Sequence, residues 1–243
     1  MKYAIISDVH GNLEALGAVV DDIEKLEADR VFFLGDAVGY AADPQECITL
    51  LDSVCDVMVA GNHDKIAATS LGMEDLGPAA MASLQWTVDT ITSDEVRWLR
   101  RLVMHQVENG MHLVHSHPDR PHMWRYMETP TDVEDAFDTS EHRILFVGHT
   151  HRSRVFVQKK GEIEGIDPER GSIRLEKGCR YIFNCGSVGQ PRDGDSRASY
   201  GLLDMIEGVF TIRRVPYDIE KAADKIYRSG LPRDMGDRLF RGE

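Results

Sequence analysis

Short apolar runs recur along the first half of the chain, and each is stopped abruptly by polar residues and glycine. Tyr3–Ser7 ends in Asp8-Val9-His10-Gly11-Asn12, Val31–Leu34 ends in Gly35-Asp36, and Val57–Ala60 ends in Gly61-Asn62-His63-Asp64. Between them the pattern changes to a helical period, with Leu13, Leu16, Val20, Ile23 and Leu26 on one face. Pro44 suits the first turn of a second helix. Three strand–loop–helix units in succession imply parallel strands joined by right-handed crossovers. Polar residues that directly follow such strands gather at the carboxyl edge of the sheet, where ligands bind.

Further along, Thr92-x-x-Glu95 reads as a capping box ahead of Val96, Trp98 and Leu99. Val103–Glu108, Asn109-Gly110 and Met111–His115 read as a hairpin with a type I′ turn. Ile144–Val147 is another apolar strand, ending in Gly148-His149-Thr150-His151. Beyond it the period becomes two, with strands expected near Val155–Gln158, Ile173–Glu176, Arg180–Asn184, Tyr200–Asp204 and Val209–Val215. An amphipathic segment runs from Asp218 to Arg228. The first half thus reads as parallel α/β and the second as antiparallel β. The expected fold class is α/β, a four-layer αββα sandwich of two mixed β-sheets with flanking helices, and residues 1–243 are expected to form one domain.

A net charge of −13 argues against a nucleic-acid polymer as partner, because such binding is led by phosphate contacts. It leaves room for a nucleotide or other small phosphate ester if a metal supplies positive charge locally. No run approaches the ~20 apolar residues of a membrane span. The first residues meet a charge too early for a signal peptide. Cys47, Cys55, Cys179 and Cys185 form no C-x-x-C pair and read as reduced thiols, so a cytoplasmic protein is expected.

Asp8, His10, Asp36, Asn62, His115, His149 and His151 all follow expected strands. Carboxylate, imidazole and amide together suit Mn, Fe, Zn, Co or Ni, and disfavour both a thiolate-bound structural zinc and an all-oxygen Mg or Ca cage. So many candidate ligands exceed the needs of one ion, which leads to an expectation of two divalent metals per chain. In extended backbone, Asp8 and His10 would point to one side, as would His149 and His151 unless a turn redirects one of them. Of the three histidines in His112-Leu113-Val114-His115-Ser116-His117, only His115 directly follows the apolar pair; His112 belongs to the opposite strand face and His117 to the rim.

The ordered set D-x-H, GD, GNHD, H and GHTH, from Asp8 to His151, resembles the calcineurin-like metallophosphoesterase superfamily. The segment Asn184-Cys185-Gly186-Ser187 resembles the N-P-G-S of its bacterial and archaeal small phosphodiesterase/phosphatase branch, with Cys185 in place of proline. The resemblance implies that Asp8, His10 and His151 bind one metal, that Asn62, His115 and His149 bind a second, and that Asp36 bridges them. His63 would be catalytic, outside the metal shell, stabilising or protonating the leaving oxygen. The implied activity is hydrolysis of a phosphodiester or phosphomonoester by metal-bridged hydroxide.

Arg192 and Tyr40 are candidate substrate contacts, and Trp124-Arg125-Tyr126 could frame a base or ring. Asp64 reads as a structural carboxylate, and the acidic run Asp132-Val133-Glu134-Asp135 as a solvated loop or helix start. Protein phosphatases of the superfamily carry GD-x-x-D-R-G and GNHE; this chain has Gly35-Asp36-Ala37-Val38-Gly39-Tyr40-Ala41 and Asp64, which weakens that reading. A protein or nucleotide (dinucleoside polyphosphate) phosphatase is the alternative, and a non-catalytic metal-binding scaffold is the remote one.

Overall fold

The computed structural model describes residues 1–167 and 171–243. Among them, strands β1 (Lys2–Ile6), β2 (Arg30–Phe33), β3 (Val57–Met58), β9 (Ile173–Arg174), β11 (Ala198–Asp204) and β12 (Val209–Val215) form one sheet in the order β3-β2-β1-β11-β12-β9. Strands β4 (His105–Glu108), β5 (Met111–Val114), β6 (Ile144–Val147), β7 (Ser153–Lys159), β8 (Glu162–Ile166) and β10 (Cys179–Cys185) form the other, in the order β4-β5-β6-β10-β7-β8.

Both sheets are mixed. β1, β2 and β3 run parallel, as do β5, β6 and β10, while the remaining partners are antiparallel. The division of the chain into a parallel half and an antiparallel half therefore does not map onto the sheets. β11 crosses back to fill the open edge of β1, and β6, buried along its whole length, takes β5 on one edge and β10 on the other. A strand with both faces buried cannot leave an edge of backbone donors unpaired, and that requirement pulls the halves together.

Alternation along the strands builds the layers. Tyr3 and Ile5 of β1 join Ile144 and Phe146 of β6, Phe183 and Phe210 in the core between the sheets. Ala4 and Ile6 face outward onto helix α1 (Leu13–Lys25) and helix α2 (Pro44–Val54). The buried face of α1 passes through Ala15, Leu16, Val19 and Ile23, rotated slightly from the expected stripe. Short helix α3 (Asn62–Thr69), α4 (Pro78–Thr90) and α5 (Ser93–Arg101) follow on the same side, with the Thr92/Glu95 capping box present. On the other outer face, Leu145, Val147 and Ile182 pack on Val133, Ala136 and Phe137 of α6 (Pro130–Thr139), so the acidic run begins a helix. Helices α7 (Ile219–Arg228) and α8 (Arg233–Leu239) close the described chain. Asn109 and Gly110 both have positive φ, 50° and 76°, as a type I′ turn requires.

No helix among the described residues is long and apolar enough to cross a membrane. The four cysteines are free, and Cys185 is packed in the inter-sheet core, where burial pushes its thiol up.

Candidate metal centre

The carboxyl ends of the two parallel triplets lie at one edge of the sandwich, and backbone hydrogen bonds stitch their loops together. Asp8 N donates to Gly35 O at 2.9 Å, His10 N to Asp36 O at 3.0 Å and Val188 N to Ser7 O at 2.9 Å. Gly148 N donates to His115 O at 2.8 Å, and Arg192 N to His151 O at 3.0 Å. The backbone here is not extended. Asp8, His10, Asp36, Tyr40, His149 and His151 all have left-handed φ, between 49° and 68°. Side-chain residues in that region are strained and concentrate at functional sites. Asp8 and His10 share a side because of these kinks, not because of strand alternation. The kinks at His149 and His151 send the two imidazoles into different groups.

One group is Asp8, His10 and His151. His10 Nε2 and His151 Nε2 are 3.1 Å apart, and His151 Nε2 is 3.3 Å from Asp8 Oδ1. The other is Asp36, His115 and His149, with Asp36 Oδ2 3.3 Å from His115 Nε2 and His115 Nε2 3.2 Å from His149 Nδ1. Asp36 Oδ2 also lies 3.6 Å from His10 Nε2, so this carboxylate stands between the groups. Asn62 begins α3 beside them, with a buried Oδ1 that has no protein partner among the described residues.

Backbone carbonyls set the ring orientations. Nδ1 of His10, His115 and His151 faces the carbonyls of Val38, Leu34 and Gln190, at 2.9, 2.8 and 2.7 Å. His149 is reversed, with Nε2 2.9 Å from Trp124 O. An N–H donated to each carbonyl leaves the other ring nitrogen as an inward lone pair, the arrangement that orients metal-binding histidines. Two such lone pairs 3.1 Å apart, beside a buried Asp8 Oδ1 without a hydrogen bond, repel one another unless a cation joins them. Ligands about 2.1 Å from one ion at right angles lie roughly 3 Å apart, so the spacing fits a divalent metal.

Burial raises the Asp8 carboxyl to about 6. Burial would raise Asp36 too, but His115, His63 and His10 outweigh it and hold that carboxyl well below its ordinary range. Burial would lower His115, yet Asp36 and Asp8 raise it to about 9. Burial keeps His10 and His151 well below the ordinary imidazole value and His149 at about 3. A cation held by the second group would therefore have to displace a proton from His115.

Two close approaches explain the glycines that precede the ligand candidates. A Cβ on Gly61 would stand 2.0 Å from Asp36 Oδ1, and one on Gly148 would stand 2.1 Å from Ser7 Oγ and 2.8 Å from Asp8 Oδ2. Asp64 accepts from the backbone nitrogens of Asp36, Ala37 and Gly61 at 2.8–2.9 Å, which pins the β2 and β3 loops to each other.

His63 is buried, its backbone nitrogen donating to Asp36 Oδ1 at 2.8 Å. Its ring comes within ligand distance of His10 and Asp36, and its Nδ1 has no protein partner among the described residues. Tyr40 packs on His10 and His63, with centroids 4.4 and 4.7 Å away. Arg192 reaches Tyr40 Oη at 3.3 Å and Gln190 Oε1 at 3.1 Å. Tyr126 stacks on His149 at 4.1 Å and is 46% exposed, so it lies at the mouth of the site.

His117 is no rim residue. It is fully buried, with Nε2 2.9 Å from Asp132 O and Nδ1 accepting from Asp119 N. His112 lies on the outer face of β5 against Ser140, His105 and His142, away from the centre. Sequence reasoning missed Ser7, whose hydroxyl donates to Asp8 Oδ2 at 2.6 Å, and the four carbonyls that orient the histidines. A carbonyl carries no residue signature, so nothing in the sequence marks those four.

The sequence profile described as the calcineurin-like phosphoesterase superfamily domain matches residues 1–208. The uncharacterized protein MJ0912 of Methanocaldococcus jannaschii is 37% identical, covering 98% of this chain and 97% of its own. A crystal structure of a metallophosphoesterase from Sphaerobacter thermophilus superimposes with a TM-score of 0.88 at 33% identity, covering 100% of this chain and 99% of that one. A symmetrical bis(5'-nucleosyl)-tetraphosphatase of Pectobacterium carotovorum is 28% identical, covering 77% of this chain and 68% of its own. With two mixed sheets, His/Asp groups at their shared edge and these relatives, the chain belongs to the calcineurin-like phosphoesterase superfamily.

Proposed function

We propose that the protein is a metal-dependent phosphoesterase acting on a small phosphate ester or nucleotide. The observation that carries this reading is the convergence of carbonyl-anchored imidazoles on Asp8 and Asp36, with Asp36 between the two groups. Asp8, His10 and His151 would hold one divalent ion, Asn62, His115 and His149 a second, and Asp36 would contact both. Divalent ions in these positions would neutralise charge on a phosphoryl oxygen and lower the pKa of water toward neutrality.

The chain's own groups complete the site. Arg192 offers a guanidinium to a phosphate oxygen, held in place by Tyr40 and Gln190. Tyr40 stands where the protein-phosphatase motif carries arginine, and Arg192 delivers a guanidinium beside it from another loop. His63, kept neutral at pH 7 because burial lowers its pKa, stabilises the leaving oxygen by donating a ring N–H hydrogen bond to it, and that oxygen takes its proton from solvent. Tyr126 offers an exposed ring face to a substrate base. The likeness to a dinucleoside tetraphosphatase supports a second reading, in which the ester is a nucleotide polyphosphate.

The test is turnover of bis-p-nitrophenyl phosphate and p-nitrophenyl phosphate by chelated and Mn²⁺-reloaded protein. Metal-dependent turnover of the diester supports a phosphodiesterase, and turnover of the monoester alone supports a phosphatase. No turnover of either, with two ions bound, supports the scaffold reading. His63→Ala is expected to keep both ions by elemental analysis while losing on the order of 10²–10⁴-fold in kcat. Loss of an ion along with activity would place His63 among the ligands instead.

A further inference from the structure

Helices α7 and α8 lie beyond the residues matched by the family profile, yet α8 is docked on the metal centre. Met235 and Leu239 share an apolar cluster with Tyr40. Gln190 Nε2 approaches Met235 Sδ at 3.9 Å, and Gly194 N donates to Gly242 O at 3.0 Å, so the C-terminal segment is pinned to the loop that carries Arg192. Arg238, next to Leu239 on α8, is only partly exposed.

Arg238 has no acidic partner within ion-pair distance among the described residues, and neither has Arg192. The nearby Asp234 is engaged by Arg241 at 3.7 Å. Arg192 further keeps a buried Nε without a hydrogen bond. Partial burial lowers the Arg238 guanidinium below its ordinary value, and the positive charge of Arg192 lowers it further. In a chain of net charge −13, these are two partly buried guanidiniums with no carboxylate within ion-pair distance among the described residues, a setting in which an anion would be favoured. Phosphate oxygens match the planar donor fork of arginine.

We propose that Arg238 of α8 and Arg192 together form a subsite for a second phosphate group, so that the favoured substrates carry at least two phosphoryl groups. The inference rests on the phosphoesterase reading for what occupies the metal centre. Arg238 is here a specificity-determining residue, and α8 is the element that places it.

The test compares tripolyphosphate with orthophosphate as inhibitors of bis-p-nitrophenyl phosphate turnover by the Mn²⁺-loaded protein. Chelation of free metal affects wild type and variants alike, so their ratio reads the side chain. Arg238→Ala is expected to raise the inhibition constant of tripolyphosphate about tenfold more than that of orthophosphate, as for a lost charged hydrogen bond. Arg238→Lys recovers part of the difference, and Arg228→Ala, on the exposed face of α7, moves neither constant. An equal change in both constants for Arg238→Ala, or no change in either, overturns the subsite. If the wild type turns over no ester, the phosphoesterase reading fails on its own. Calorimetric titration of the same two anions then decides the subsite by the same ratio.

Discussion

Asp36 is crowded from every side, and its setting shows how finely single residues control the site. His63 donates its backbone nitrogen to Oδ1, His115 and His10 approach Oδ2, and Gly61 lies against the carboxyl group. Gly61 has φ −96°, which any residue adopts, so its lack of a side chain is a matter of space alone. Gly61→Ala is expected to push the Asp36 carboxylate aside and abolish stoichiometric divalent-metal binding, with the helical circular dichroism retained. Elemental analysis of the purified variant checks this, and two ions at full occupancy would refute it. The glycines were legible in the sequence directly before Asp36, Asn62 and His149. Their reason was not, because the 2.0 Å approach involves residues 25 positions apart in sequence.

At the level of elements, α6 supports the mouth of the site through Asp132. This carboxylate closes the capping box with Thr129, accepts from Arg125, and stands on the residue whose carbonyl meets His117 Nε2. Arg125 lies between Trp124, whose carbonyl orients His149, and Tyr126, whose ring stacks on it. Burial would raise the Asp132 carboxyl, but the Thr129 donors and Arg125 outweigh it and hold it well below the usual carboxylate range. A folded-state pKa below the unfolded one stabilises the fold above about pH 4. That stability is lost as pH falls through the folded value. Asp132→Asn is therefore expected to cost on the order of 1 kcal/mol at pH 7, small because solvent screens the Arg125 attraction. The cost should shrink as the pH drops below about 4, as read from urea unfolding at a series of pH values. A deficit that persists unchanged at acid pH would show that shape, not charge, holds this turn. The sequence showed the acidic run as a loop or helix start; the apolar Val133, Ala136 and Phe137 facing the second sheet made it a helix.

For the whole molecule, the stability that holds two strained loop sets in register comes from the core between the sheets. Phe183 of β10 and Phe210 of β12 stack across it at 4.0 Å, and Phe146 joins them. Phe210→Ala is expected to cost about 3–5 kcal/mol through lost burial and the cavity left behind. For a chain of this size that lowers Tm by roughly 10 °C. Metal content per folded molecule should stay unchanged, since Phe210 belongs to the core and not to the edge that carries the candidate ligands. Calorimetric melting together with elemental analysis checks both halves of this expectation.

The sequence by itself determined every described strand but β8, the helices α1, α2, α5 and α7, the hairpin turn and the set of polar residues that follow the parallel strands. Each of these rests on local rules: the period of apolar positions, capping residues and turn chemistry. It could therefore place Asp8, His10, Asp36, Asn62, His115, His149 and His151 at one edge before any coordinates were known. The tertiary structure alone decided which of them face one another. His149 donates its backbone nitrogen to Asp8 across 141 residues, yet its ring joins Asp36 and His115. Only folding brings the carbonyls of Leu34, Val38, Trp124 and Gln190 against the imidazoles, and only folding lays α8 over Tyr40. Both depend on packing between distant segments, which no local pattern encodes. The left-handed kinks at the candidate ligand positions belong to the same class, because L-residues accept that strain only where surrounding contacts over-determine it.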